Sequence, residues 1–177
     1  MHFHTRDERP QIPLISIVGG KSNSGKTTLL EKIVREAKHR GWRVATLKHD
    51  VHRFEMDQPG KDTWRHAQAG ADVVAISSPY KIAVLENVSG DQPLDEVIAR
   101  IHGVDVIFTE GYKYGNKPKI EVFRSVVHQE LFSKLEEIIA IASDISFDNG
   151  IPCFGLDDAQ GLCDLIEEKY GVKGNSV

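Results

Sequence analysis

Long apolar runs, cysteine, aromatic residues and a dominant charge are all scarce in this chain of 177 residues. No apolar stretch approaches the roughly 20 residues that cross a bilayer, so no membrane span is expected. The two cysteines, Cys153 and Cys163, match no zinc or redox spacing and supply no disulfide framework. Both read as small buried apolar residues. Lys+Arg number 22 against 26 Asp+Glu, a formal net charge of -4, and the pI is about 6.1. That balance argues against a protein that coats nucleic acid or an anionic membrane. Residues 1–11, with His2 and His4, are polar and hold no signal-peptide core, so they read as a flexible lead. Residues 171–177 read as a flexible tail, and the protein as cytoplasmic. No internal repeat or low-complexity segment stands out. An apolar share of 40% remains, enough for the core of a single domain over residues 12–170.

The most informative segment is Gly20-Lys21-Ser22-Asn23-Ser24-Gly25-Lys26-Thr27, followed by Thr28. It fits the phosphate-binding loop G-x-x-x-x-G-K-[ST], with an apolar run, Leu14 to Val18, before it and an amphipathic helical pattern after it. Gly20 and Gly25 permit backbone angles and a close approach to phosphate that a side chain forbids. The loop N–H groups and the following helix start favour an anion. Lys26 brings a point charge for the terminal phosphates, and Thr27 a hydroxyl for Mg²⁺.

Strand and helix patterns alternate, which predicts an α/β fold of the P-loop NTPase type: a three-layer sandwich around a mainly parallel sheet, with an antiparallel edge hairpin. Strands are expected at Leu14–Val18, Arg43–Leu47, Val104–Thr109, Lys119–Phe123, Ile138–Ala142 and Pro152–Phe154. Asp72–Ile76 and Lys81–Leu85, joined by a short Ser-Ser-Pro-Tyr link, form the hairpin. Helices follow the loop as far as Gly41, run from a cap at Asp62 to Ala69, and cover Leu94–Ile101 and Asp158–Tyr170. The polar stretch from Lys48 to Lys61 reads as a long functional loop.

A nucleotide site also needs an acid at the carboxyl end of a nearby strand. Asp105 and Glu110 compete for that role. Glu110 ends its strand, and ligands of open α/β sheets gather at that edge, so Glu110 is expected to order Mg²⁺ or water. Asp105 reads as a strand-entry residue. Lys48, His49 and Asp50 end the second strand on the same edge, and Asp57, Lys61 and Asp62 follow. With Lys113 they are read as a substrate or effector surface. His49 and His52 lie three apart, but no spacing fixes a third ligand, so zinc is not argued. Lys113, Lys117 and Lys119 make a local basic patch, and Asp144 is a candidate purine contact. Lys21 has two readings: a solvated side chain, or a second phosphate-reaching lysine. The second matches the G-K-x-x-x-G-K-T loop of MinD-like ATPases, where such a lysine reaches the partner subunit's nucleotide.

Taken in order, these pieces resemble the MobB family of molybdopterin-guanine dinucleotide biosynthesis adaptor proteins. The matching segments are the phosphate loop, Thr46-Leu47-Lys48-His49-Asp50, Met56 to Thr63 with Pro59-Gly60-Lys61-Asp62, Ala69-Gly70-Ala71, Thr109-Glu110-Gly111-Tyr112-Lys113, and Ile141 to Asp144. The resemblance implies a GTP-binding protein with weak Mg²⁺-dependent hydrolysis, often a homodimer. It also implies assistance to the molybdopterin guanylyltransferase that joins molybdopterin to GMP. Preference for GTP over ATP rests on the resemblance. Two alternatives stand beside it: a P-loop small-molecule kinase, and an adaptor that binds nucleotide without hydrolysing it.

Overall fold

The computed structural model describes residues 12–50 and 54–174. The expected lead, His52, and residues 175–177 lie outside them. In chain order the elements are β1 (Leu14–Val18), α1 (Lys26–His39), β2 (Val44–Lys48), α2 (Asp62–Gln68), β3 (Val73–Ser77), β4 (Ile82–Glu86), α3 (Leu94–Ile98), β5 (Val106–Glu110), β6 (Lys119–Phe123), β7 (Ile138–Ser143), β8 (Cys153–Gly155) and α4 (Ala159–Tyr170). They fall into two compact units: Met1–His49 with Ile101–Val177, and Asp50–Arg100.

The first unit holds a six-stranded sheet in the order β2-β5-β1-β6-β7-β8, parallel throughout. Parallel strands covered on both faces read as near-continuous apolar runs, which explains Leu14–Val18 and Val106–Phe108. On one face Ile15, Ile17, Phe108, Ile120, Val122, Ala140 and Ala142 pack against Leu29, Ile33 and Ala37 of α1 and Leu162, Cys163 and Ile166 of α4. The opposite face is closed around Phe123, Ile138 and Ile141 by Leu131, Phe147 and Ile151. Within this unit that layer is loop rather than α-helix.

Arg40 pins α1 to α4. Its guanidinium donates to Glu36 at 2.7 Å, pairs with Asp164 at 2.8 Å and donates to the Gln160 carbonyl at 3.1 Å. Against its desolvation, the hydrogen bonds to the Glu36 and Asp164 carboxylates raise its pKa further. Asp158 caps α4, accepting from the Gly161 N–H at 2.8 Å, and Gly171 ends it with φ 64. Of the expected loose tail, Val172 and Gly174 are packed against the body of this unit. Val172 is buried in the core, and a Cβ on Gly174 would stand 2.0 Å from the Arg40 carbonyl oxygen.

The second unit contains α2, α3 and the antiparallel pair β3–β4, with Val74 opposite Leu85. The hairpin is a separate two-stranded sheet, not an edge of the large one. Its strands pair with each other because a short turn joins them, where the Ser78 N–H donates to the Lys81 carbonyl at 2.8 Å. Long connections on either side leave them outside the parallel sheet. Lys61 occupies the N-cap of α2 with an extended backbone, and Asp62 is the first helical residue. Its carboxylate therefore acts on the helix dipole and does not cap the N–H groups. Gln58-Pro59-Gly60-Lys61 is a turn closed by the Lys61 N–H on the Gln58 carbonyl at 3.2 Å, with Gly60 at φ 86, as a Pro-Gly turn of type II requires. α3 stops at Ile98, short of the expected Ile101.

Leu162, fully buried between α4 and α1, gives a direct check of the helical layer. Leu162→Ala is expected to lower unfolding free energy by about 2–5 kcal/mol, measured by urea titration. Asp105 provides a pH test. Its carboxyl is held below the usual range by the Arg43 guanidinium, aided by the Arg43 backbone N–H. A depressed folded pKa stabilises fully above the unfolded value, about 4, and the gain disappears as pH falls through the folded one. The stability gap between the wild type and Asp105→Asn is expected to hold at pH 7 and shrink steadily below about pH 4.

Candidate nucleotide site

β1 delivers the chain to Gly19 and Gly20, and α1 begins at Lys26. Between them the loop turns through left-handed backbone at Asn23 (φ 60) and Gly25 (φ 95). Gly25 is the N-cap of α1, so no side chain stands over the first helical N–H groups. Gly19, outside the motif, is as constrained as the glycines within it. A Cβ there would meet Ser24 Oγ at 2.6 Å and the Val122 carbonyl at 3.1 Å. Ser24 is wholly buried. Lys26 Nζ donates to the Lys21 carbonyl at 3.0 Å and to Ser24 Oγ at 3.1 Å. Burial first, and then the charge of Lys113, pull the Lys26 pKa below its ordinary value, with Glu110 opposing. Lys21, Ser22, Asn23, Thr27 and Thr28 are exposed.

The two acids that competed on sequence separate cleanly. Thr27 Oγ1 donates to Glu110 Oε1 at 2.7 Å. Asp105 immediately precedes β5, at the opposite end of the strand from Glu110, and is paired with Arg43 at 2.9 Å. A hydroxyl and a carboxylate side by side suit Mg²⁺, which takes few protein ligands and completes its shell with water and phosphate oxygens. Among the described residues no group of three or more His, Cys, Asp or Glu is arranged to hold a metal. The His49 N–H donates to the Glu110 carbonyl at 3.0 Å, which continues the β2–β5 pairing past Lys48. The His49 ring lies 4.5 Å from that of Tyr112. Lys48 lines a groove of about 450 Å³ together with Thr27, Leu30 and Val34 of α1, Leu47 of β2 and Glu110.

A third side of the loop escaped the sequence reading. Lys119 and Glu121, alternate residues of β6, are both buried, at 2% and 1% exposure. Lys119 is paired with Glu137 and so leaves the basic patch expected with Lys113 and Lys117. The Glu121 carboxylate accepts the Phe132 N–H at 2.6 Å and the Ser133 N–H at 2.9 Å. This brings Phe132 and His128 against Gly20, whose added Cβ would lie 3.3 Å from Phe132 Cβ and 3.4 Å from His128 Cδ2. His128 Nδ1 accepts the Arg124 N–H at 3.2 Å, and Arg124 Cδ lies 3.9 Å from the Cβ position of Gly25. His128 Nε2 and Arg124 Nε are buried with no hydrogen-bond partner among the described residues. The signal available in the sequence was two charged residues inside a strand between buried strands.

The expected effector surface is divided. Lys48, His49 and Lys113 belong to the first unit, and Asp50, Asp57, Lys61 and Asp62 to the second. Asp57 accepts the Gln58 N–H at 2.8 Å, and Asp62 pairs with Arg65 at 3.9 Å. Asp144 holds Ser125, accepting from its N–H at 2.8 Å and its hydroxyl at 3.0 Å. These bonds depress the carboxyl's pKa, and they give Asp144 the work of fixing the β6 exit.

A glycine loop between a central parallel strand and a helix, with a threonine in the first turn of that helix bonded to a strand-end glutamate, defines an α/β protein of the P-loop type. The family model for MobB, molybdopterin guanine dinucleotide synthesis protein B, matches residues 14–144, and the chain belongs to that family. It is 31% identical to the molybdopterin-guanine dinucleotide biosynthesis adapter protein of Haemophilus influenzae, over 89% of each chain. It is 30% identical to the Escherichia coli adapter protein, over 90% of this chain and 94% of the other. The crystal structure of Bacillus subtilis MobB matches with a TM-score of 0.71 at 26% identity, covering 93% of this chain and 100% of that one. No described helix is long and apolar enough to cross a membrane.

Gly19→Ala tests the close approach of loop and strand. It is expected to destabilise the protein by about 1–3 kcal/mol through overpacking. Adding Ser24→Ala removes the nearest clashing atom and should recover part of that loss, read from urea midpoints of the single and double variants.

Proposed function

We propose that this chain is a GTP-binding accessory protein of molybdopterin guanine dinucleotide formation. In this reading it binds Mg²⁺–GTP, hydrolyses it slowly, and assists a molybdopterin guanylyltransferase in attaching GMP to molybdopterin, working as a homodimer. The observation that carries the nucleotide half of this reading is the Thr27–Glu110 hydrogen bond beside the phosphate loop. Membership of the MobB family carries the pathway half.

The N–H groups from Gly20 to Thr28 and the start of α1 would take the phosphates, with Lys26 supplying the neutralising charge. Thr27 and Glu110 would hold Mg²⁺, which would supply positive charge to neutralise the phosphates. Glu110 already accepts a hydrogen bond from the Thr27 hydroxyl, and the loop from Gly20 to Thr28 brings no second carboxylate to activate water. Slow turnover fits that inventory.

Calorimetric titration of the protein with GTP and with ATP, each with Mg²⁺, tests the reading. GTP is expected to bind more tightly. Lys26→Ala should weaken it by about 10- to 100-fold, the worth of a charge-assisted phosphate contact. Glu110→Gln should reduce the dependence of binding on Mg²⁺. Equal affinity for ATP, or indifference to Lys26→Ala, would overturn the assignment.

A further inference from the structure

Two consecutive carbonyls of the phosphate loop each face an ammonium group. Lys26 Nζ donates to the Lys21 carbonyl at 3.0 Å, and Lys113 Nζ donates to the Gly20 carbonyl at 3.4 Å. Lys26 belongs to the P-loop motif. Lys113 arrives from the loop after β5, three residues past Glu110. Like charges brought to neighbouring peptide units repel, and the charge of Lys113 is felt at Lys26. Such an arrangement costs free energy unless the site receives an anion of more than one charge. Glu110 offers a single negative charge and shares it with Thr27.

The position of Lys113 is built. Gly111 (φ 102) and Tyr112 (φ 48) both adopt left-handed backbone, which is uncommon for a side chain such as tyrosine. The Tyr112 ring contact with His49 helps to hold it there. The Lys113 ammonium stands 5.4 Å from the centre of the Phe132 ring, a cation–π arrangement. Phe132 is itself fixed by the buried Glu121 carboxylate. A backbone carbonyl is a weaker acceptor for an ammonium group than a charged phosphate oxygen, so the contact with Gly20 is one that a polyphosphate can displace.

We propose that Lys113 is a phosphate-binding residue, acting at the terminal phosphate and making this site prefer nucleoside triphosphate to diphosphate. The proposal rests on the nucleotide reading given above. The terminal end follows from placement. The helix start at Lys26 serves the inner phosphates. Lys113 lies on the Gly20 side and three residues past Glu110, the strand-end carboxylate that would hold Mg²⁺ at the outer phosphates. Binding of triphosphate would also draw Lys113 from Gly20 and engage residues 111–117 with nucleotide state.

The test is titration of the whole protein and its Lys113→Ala, Lys113→Gln and Lys113→Arg variants with GTPγS and GDP, both with Mg²⁺, by calorimetry. The wild type is expected to bind GTPγS more tightly than GDP. Lys113→Ala should lose about 10- to 100-fold of GTPγS affinity while GDP affinity stays within about twofold. Lys113→Arg, which keeps the charge, should retain most of the preference. Lys113→Gln keeps the stem over Phe132 and serves if the alanine variant does not fold, with GDP binding as the check on folding. An unchanged ratio in both neutral variants, or equal losses for both nucleotides, overturns the Lys113 assignment. In that case a Lys26→Ala loss for both nucleotides leaves the nucleotide reading intact. Failure of the wild type to bind either nucleotide overturns both.

Discussion

β1 is paired on both sides, with Ser16 opposite Thr109 on one flank and Lys119 on the other. The sheet edge that carries the glycine loop and Glu110 depends on that double register. Side chains alternate faces with a period of two, so a slip of one residue would turn each strand's apolar set away from α1 and α4. The register is marked by a buried hydroxyl pair, Thr109 Oγ1 donating to Ser16 Oγ at 2.9 Å. With β1 fixed, Gly19 comes against the Val122 carbonyl and Glu110 comes within reach of Thr27. Parallel pairing gathers the carboxyl ends on one edge. An anion loop, an acid and two lysines therefore meet there from segments far apart in the chain.

The sheet face away from α1 and α4 is unusually polar for one so well covered. β6 sends Ile120 and Val122 into the main core, while Lys119 and Glu121 are also buried. Buried charge is tolerated only when it is paired and hydrogen-bonded. Lys119 meets Glu137, whose carboxyl it holds below the usual range, and Glu121 takes two backbone N–H groups. These bonds replace the missing helix as the means of fixing the loop that carries His128 and Phe132. The polar face thus gives positional definition to the segment beside Gly20.

The residues declare some of this and hide the rest. Gly20 to Thr27 followed an apolar strand and opened an amphipathic helix, so its place between β1 and α1 was legible from spacing and period. The position of Glu110 at a strand end was legible because it ended a buried run. The hairpin was legible as a hairpin, but its separation from the parallel sheet was not, because sequence neighbourhood fixes a turn and says nothing of sheet membership. Lys119 and Glu121 alternated with apolar residues, the pattern of a strand with one wet face. Only the loop folded over them shows that this face is covered. Gly19 also escaped, since its constraint comes from Ser24 and Val122 and not from a motif. The link between Glu121 and Phe132 could not be read at all, for no local rule ties a strand carboxylate to N–H groups further along the chain.

The unit formed by Asp50–Arg100 has a topological duty apart from any surface it presents. It joins β2 to β5, which lie side by side and run parallel. The chain must therefore travel from the end of one strand back to the beginning of its neighbour. A tight turn cannot do this, and a crossover of a dozen residues or more is needed. Most such folds use one helix for the return. Here the return is an assembly with its own hairpin and two short helices. Topology alone fixes only the span between its two ends and leaves open how the return between them is built. The phosphate loop, built from the strands on the far side of β5, has no such latitude.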